Sequence, residues 1–225
     1  MSSEAVSSTS IIGSPVGVEA YEQFSNPGQQ RRAAELGMWA WLLTELLLFG
    51  GLFLIALVLR YQYPDSVHAA ATHLKFWIGA TNTAILICSS LTMSGAIMLS
   101  RLGGQRWMVR CMLATAALGS LFLVLKGYEW YADWDEHMTP FLPGPYALEG
   151  DPQSRLFVNL YFITTALHGL HLTTGVALLL GLTWMAKQPD FLQKHQNRIE
   201  IYGLYWHFID LIWIVVFPVL YVVGR

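Results

Sequence analysis

From residue 36 onward the chain is a succession of long, unbroken apolar stretches separated by short polar connections. Each stretch runs to about 20 residues or more, the length that roughly 30 Å of hydrocarbon demands at about 1.5 Å of rise per residue. The pattern predicts five transmembrane helices over about 36–59, 74–99, 107–130, 158–184 and 201–223. The runs are continuous rather than alternating, which argues against strands and a membrane β-barrel. Residues 1–35 are rich in Ser, Gly, Pro, Gln and Glu, carry Arg31 and Arg32 side by side, and lack the apolar core of a signal peptide. The expected architecture is all-α: a retained polar N-terminal tail, 1–35, followed by a five-helix transmembrane domain, 36–225.

Composition sharpens this reading. Only 12% of residues are charged while 54% are hydrophobic, whereas soluble domains approach a quarter charged. A net charge of -2 leaves no basic surface for nucleic acid. The two cysteines, Cys88 and Cys111, lie in apolar stretches without metal-ligand spacing, so packing is their expected role. Gly50, Gly51, Ser89, Ser90, Ser94, Gly95, Gly169 and Gly175 supply the small positions at which membrane helices approach closely. Trp39, Trp41, Tyr61, Tyr63, Trp107, the run Tyr128 to Trp134, Trp184 and Tyr221 fall near span ends and suit interfacial belts. Eight Lys or Arg residues fall on the N-terminal side of the alternating connections and five on the other, which places the N-terminus inside and the C-terminus outside. The connection from Tyr131 to Phe157 is then external and carries Asp133, Asp135, Glu136, His137, Glu149 and Asp151. It could dock a basic partner, but solvation is the plainer role. No internal repeat suggests an inverted-repeat transporter.

Ionisable residues inside spans carry the chemical information, since each costs roughly 2.5 to 3.5 kcal/mol at a helix centre. Glu45 stands about 13 Å into the first span. It is either a protonated carboxyl bonded across helices or a proton-linked or lipid-contacting group. His168 and His171 are three apart on one face of the fourth span, and His207 and Asp210 are three apart in the fifth. Depth counting predicts one buried polar layer of Glu45, His171, His207 and Asp210. Haem between His168 or His171 and His207 is a second possibility, without a supporting carboxylate or thiolate set. Lys126 and Glu129, three apart at the outer end of the third span, read as a local ion pair with the ammonium reaching toward the headgroups.

A set of segments together resembles a known family. These are Leu36-Gly37-Met38-Trp39, Leu42 to Phe49, Thr81 to Leu86, Lys126 to Trp130, Leu167 to His171 and Tyr205 to Trp213, spread in order over all five spans. The chain resembles subunit III of the haem-copper cytochrome c and quinol oxidases. The resemblance implies a non-catalytic subunit of a proton-pumping terminal oxidase that carries no haem or copper. Such a subunit packs with subunits I and II, which supply those cofactors, and sustains proton uptake and stability during turnover. Glu45 matches the family's buried, carbodiimide-reactive glutamate, and Glu129, His168, His171, His207 and Asp210 match other recurrent polar positions. Longer members of the family have seven helices with a lipid-filled cleft between the first two and the remaining five. This chain lacks that pair, which puts the cleft phospholipid sites in doubt and favours a bacterial plasma membrane. Membership of a larger respiratory supercomplex stays open, as do two alternatives: a haem b-binding membrane anchor and the accessory protein of nitric oxide reductases.

Overall fold

The computed structural model describes residues 27–135, 151–186, 188 and 191–222. The expected tail up to residue 26 lies outside them, as do Glu136, His137 and Glu149 of the acidic connection and Lys187, Arg225 and the Lys194 side chain. The described residues form six α-helices: α1 (Pro27–Gln62), α2 (Pro64–His73), α3 (Phe76–Arg101), α4 (Gln105–Asp135), α5 (Pro152–Met185) and α6 (Phe191–Phe217). A π-helical turn, Pro218–Val222, extends α6. Proline lacks the N–H that would continue the α ladder, which accounts for the change of winding there. Five helices, all but α2, are long and apolar enough to cross a membrane.

α1, α4 and α5 extend past the spans expected from hydropathy at both ends, because helices continue past the hydrocarbon length, whereas α3 begins two residues later than expected. α1 begins at Pro27, inside the stretch assigned to the polar tail. α4 runs on to Asp135 and carries Asp133, which the sequence reading assigned to the external connection. The short α2 went unread because ten residues rich in Ala and His have no long apolar run.

Helices α3, α4, α5 and α6 form a ring in which α3 lies against α4 and α6, and α5 against α4 and α6. α1 is laid on the outside, against α5 and α6, and α2 leans on α5. The ring is filled by Trp206, Trp213, Phe122, Tyr161, Met93, Met108 and Met112, all with almost no exposed surface. Gly119 leaves room for the Trp206 ring inside the bundle: a Cβ there would stand 2.7 Å from Trp206 Cη2 and 3.0 Å from Val176 Cγ2. Gly103, at φ +76°, takes the left-handed turn between α3 and α4 that side-chain-bearing residues resist. By contrast α1 turns Leu43, Leu46, Leu47, Leu54 and Leu57 outward, as a lipid-facing helix does.

Candidate functional site

Polar side chains inside the bundle gather in three places. On the α1 side, Glu45 Oε2 lies 3.3 Å from His171 Nε2, with both side chains mostly buried. His171 Nδ1 is 2.8 Å from the Leu167 carbonyl oxygen of its own helix. A carbonyl can only accept, so Nδ1 carries a proton. Glu45 Oε2 makes no hydrogen bond in this geometry, and a proton shared with Nε2 would form either carboxylic acid with imidazole or carboxylate with imidazolium. Both forms are neutral overall, the condition a hydrocarbon-depth pair has to meet. The pair sits in an aromatic pocket, with the Trp41 and Phe49 rings 6.0 and 5.9 Å from the imidazole. Tyr205 stacks on Trp41 at 5.1 Å and donates its hydroxyl to the His171 carbonyl at 2.9 Å. Trp41, expected in an interfacial belt, thus packs on the site.

The second group lies on the opposite flank, between α3 and α6. Asp210 is buried, with Oδ2 3.5 Å from the Ser89 hydroxyl, which also accepts from Trp206 Nε1 at 3.1 Å. His207 Nδ1 is 2.7 Å from Ser90 Oγ, and Nε2 is 3.4 Å from Ser94 Oγ. The single polar layer predicted from depth is therefore corrected. Glu45 pairs with His171 on one side of α6, while His207 and Asp210 turn to the serines of α3 on the other. Depth follows from position along each helix, but which way a helix faces depends on its neighbours.

The third group is the most enclosed. Lys126 Nζ lies 3.1 Å from Glu129 Oε2, 2.9 Å from the Tyr161 hydroxyl and 2.5 Å from the Tyr221 hydroxyl. Both tyrosines also reach Glu129 Oε1, at 2.9 and 2.7 Å. Asp133 completes the cluster, 3.4 Å from Tyr161 and 3.9 Å from the Lys75 ammonium. The expectation that Lys126 extends toward the headgroups is overturned, since it is only 4% exposed. Tyr161 and Tyr221, which cap the pair, were not singled out as functional positions. A tyrosine near a span end reads the same whether it anchors or turns inward, so no sequence signal separated the two.

His168 and His171 part company despite their spacing. His168 is buried between Trp213 and Phe122, ring centroids 5.0 and 5.5 Å away, while His171 meets Glu45. His168, His171 and His207 thus face three different surroundings. Among the described residues, no group of three or more His, Cys, Asp or Glu side chains is placed to hold a metal.

The sequence profile of the family described as cytochrome c oxidase subunit III matches residues 18–225. The chain belongs to the cytochrome c oxidase subunit III family. It is 33% identical over 195 residues to cytochrome c oxidase subunit 3 of Thermostichus vulcanus, covering 84% of this chain and 87% of the relative. It is 32% identical over 199 residues to cytochrome bo(3) ubiquinol oxidase subunit 3 of Pseudomonas putida, covering 84% and 85%. Subunit 3 of the cytochrome c oxidase of a Synechocystis strain is 30% identical over 186 residues, 82% of this chain and 73% of the relative. This subunit III is a non-catalytic subunit of a haem-copper oxidase, an oxidoreductase complex, and a multi-pass protein of the bacterial inner membrane.

Proposed function

We propose that this subunit III assembles with the catalytic subunit I and with subunit II, and that it supports proton uptake and the stability of the catalytic subunit during turnover. Oxygen is reduced on haem and copper held by those partners, and this chain holds neither. The observation that carries the reading is the Glu45–His171 pair: a carboxyl and an imidazole 3.3 Å apart at hydrocarbon depth, with the imidazole turning Nε2 to the carboxyl while Nδ1 is held by the Leu167 carbonyl. That geometry suits a group that stores or passes a proton without placing net charge in the membrane. The N-terminus lies on the cytoplasmic side, supported by the excess of Lys and Arg among the connections on that face. The printed names of relatives include both a cytochrome c oxidase and a ubiquinol oxidase, which favours a donor chosen in another subunit. Glu129, His168, His207 and Asp210 are proposed as further buried polar positions of the same subunit, with Glu129 tied to Lys126.

The test is a mild-detergent pull-down of the tagged chain. Reduced-minus-oxidised visible spectra are taken before and after the chain is stripped from its partners. Oxidase haem that stays with the partners is the expected result. Haem that travels with this chain would replace the reading with a haem b-binding anchor.

A further inference from the structure

The α3–α6 flank carries polar groups where a lipid-facing surface should carry none. A groove of about 450 Å³ opens there, lined by Ile87, Ser90, Leu91, Ser94, His207, Asp210, Leu211 and Ile214, a volume within the range of small-molecule sites. Asp210 is 3% exposed, and its Oδ1 has no hydrogen-bond partner among the described residues. A buried carboxyl oxygen without a partner is costly, and more so at hydrocarbon depth. Ser94 and half-buried His207 are open to the groove.

Depth restricts what can fill it. Glu200, which binds Arg31 at 2.9 Å and Arg101 at 3.0 Å, marks the polar end of α6. Asp210 is ten residues further on, roughly 15 Å along the helix and near the middle of a 30 Å core. Phosphate and ammonium headgroups stay at the interface and do not reach that depth. Acyl chains reach it, but offer the carboxyl nothing. A molecule that fits has an apolar body lying against Ile87, Leu91, Leu211 and Ile214, no net charge, and a head that both accepts and donates hydrogen bonds.

We propose that this groove binds the head group of an isoprenoid quinone or quinol, with Asp210, His207, Ser90 and Ser94 as its hydrogen-bonding wall. A quinone carbonyl accepts from the imidazole N–H, the serine hydroxyls or a protonated Asp210. A quinol hydroxyl donates to the carboxyl oxygen that otherwise has no partner. The binding requires no electron transfer within this chain. It rests on the oxidase-subunit reading, but not on the role assigned to Glu45.

The assembled oxidase, reconstituted in phosphatidylcholine and phosphatidylglycerol nanodiscs, is irradiated with a photoreactive azido-ubiquinone and its peptides are mapped by mass spectrometry. The expected result is labelling within residues 87–94 and 207–214, competed away by excess decylubiquinone. Asp210→Ala should reduce this labelling at least tenfold. Should that variant fail to assemble, Ser94→Leu, which fills the groove from an exposed position, should abolish the label instead. Labelling that is absent, not competed, or unchanged in an assembled variant overturns the proposal. So does a cross-link that seats a helix of another oxidase subunit on this face. The haem spectrum of the same preparation reports separately on assembly, so failure of the subunit reading is distinguishable from failure of the groove.

Discussion

Lys126 and Glu129, one turn apart on α4, form an ion pair that Tyr161 from α5 and Tyr221 from the turn after α6 close over with their hydroxyls. The pair joins three helices and fixes the C-terminal turn against the ring. Removing one partner strands the other charge in a buried setting, whereas removing both leaves apolar volume. Lys126→Met or Glu129→Leu alone should therefore destabilise the chain by about 3 to 5 kcal/mol. The Lys126→Met/Glu129→Leu double variant should recover most of it. Thermal unfolding of the detergent-solubilised oxidase, followed by loss of this subunit from the complex, reads the effect. Additive losses in the double variant would show that the two charges do not act as a unit.

At Glu45 the structure separates shape from proton. Glu45→Gln keeps a hydrogen-bonding group opposite His171 Nε2, 3.3 Å away in the native pair, but removes the ionisable carboxyl. The oxidase should assemble with an unaltered haem spectrum, yet take up protons more slowly or inactivate sooner in steady-state turnover. Proton uptake in proteoliposomes and the number of turnovers before inactivation are the measurements. Wild-type values in both would make Glu45 a packing group.

Gly119 predicts a sharp contrast along one helix. A methyl group at 119 meets the Trp206 ring, while one at Gly127 meets nothing within 4 Å. Gly119→Ala should cost about 1 to 3 kcal/mol through overpacking. Gly127→Ala should be neutral or stabilise by up to about 1 kcal/mol through helix propensity. Equal melting temperatures for the two variants would contradict the close seating of the Trp206 ring on Gly119.

Asp151 caps α5 just outside the membrane span, accepting from the Gln153 amide at 3.1 Å and from the Ser154 hydroxyl. The hydrogen bond from Ser154 holds its carboxyl below the ordinary value of 3.8. A carboxyl depressed in the folded state stabilises above its unfolded pKa and loses that stabilisation as pH falls through the folded value. Protection of the Gln153 amide from hydrogen exchange should therefore be full at neutral pH and decline below about pH 4. Asp151→Asn, which keeps the cap without the charge, should flatten that decline. An unchanged profile in the variant would rule out the carboxylate as its source.

Length and hydropathy alone determined the five spans, because a helix crossing hydrocarbon has to satisfy its own backbone and present about 20 apolar residues, whatever surrounds it. The same cost argument singled out Glu45, Glu129, His168, His171, His207 and Asp210, since an ionisable group at that depth stands out against its background. Pairings were another matter. Helical spacing put His168 and His171 on one face, but their different neighbours, Trp213 and Glu45, depend on where α6 and α1 pack. Depth along separate helices places Asp210 level with Glu45, yet the rotation of α6 turns Asp210 and His207 to Ser89 and Ser90 of α3. Lys126 read as an exposed end because Tyr161 and Tyr221, 35 and 95 residues away, cover it only once α4, α5 and the C-terminal turn are assembled. Insertion into the membrane is a property of each segment, written locally. Azimuth and enclosure come from the packing of segments against one another, which only the tertiary structure decides.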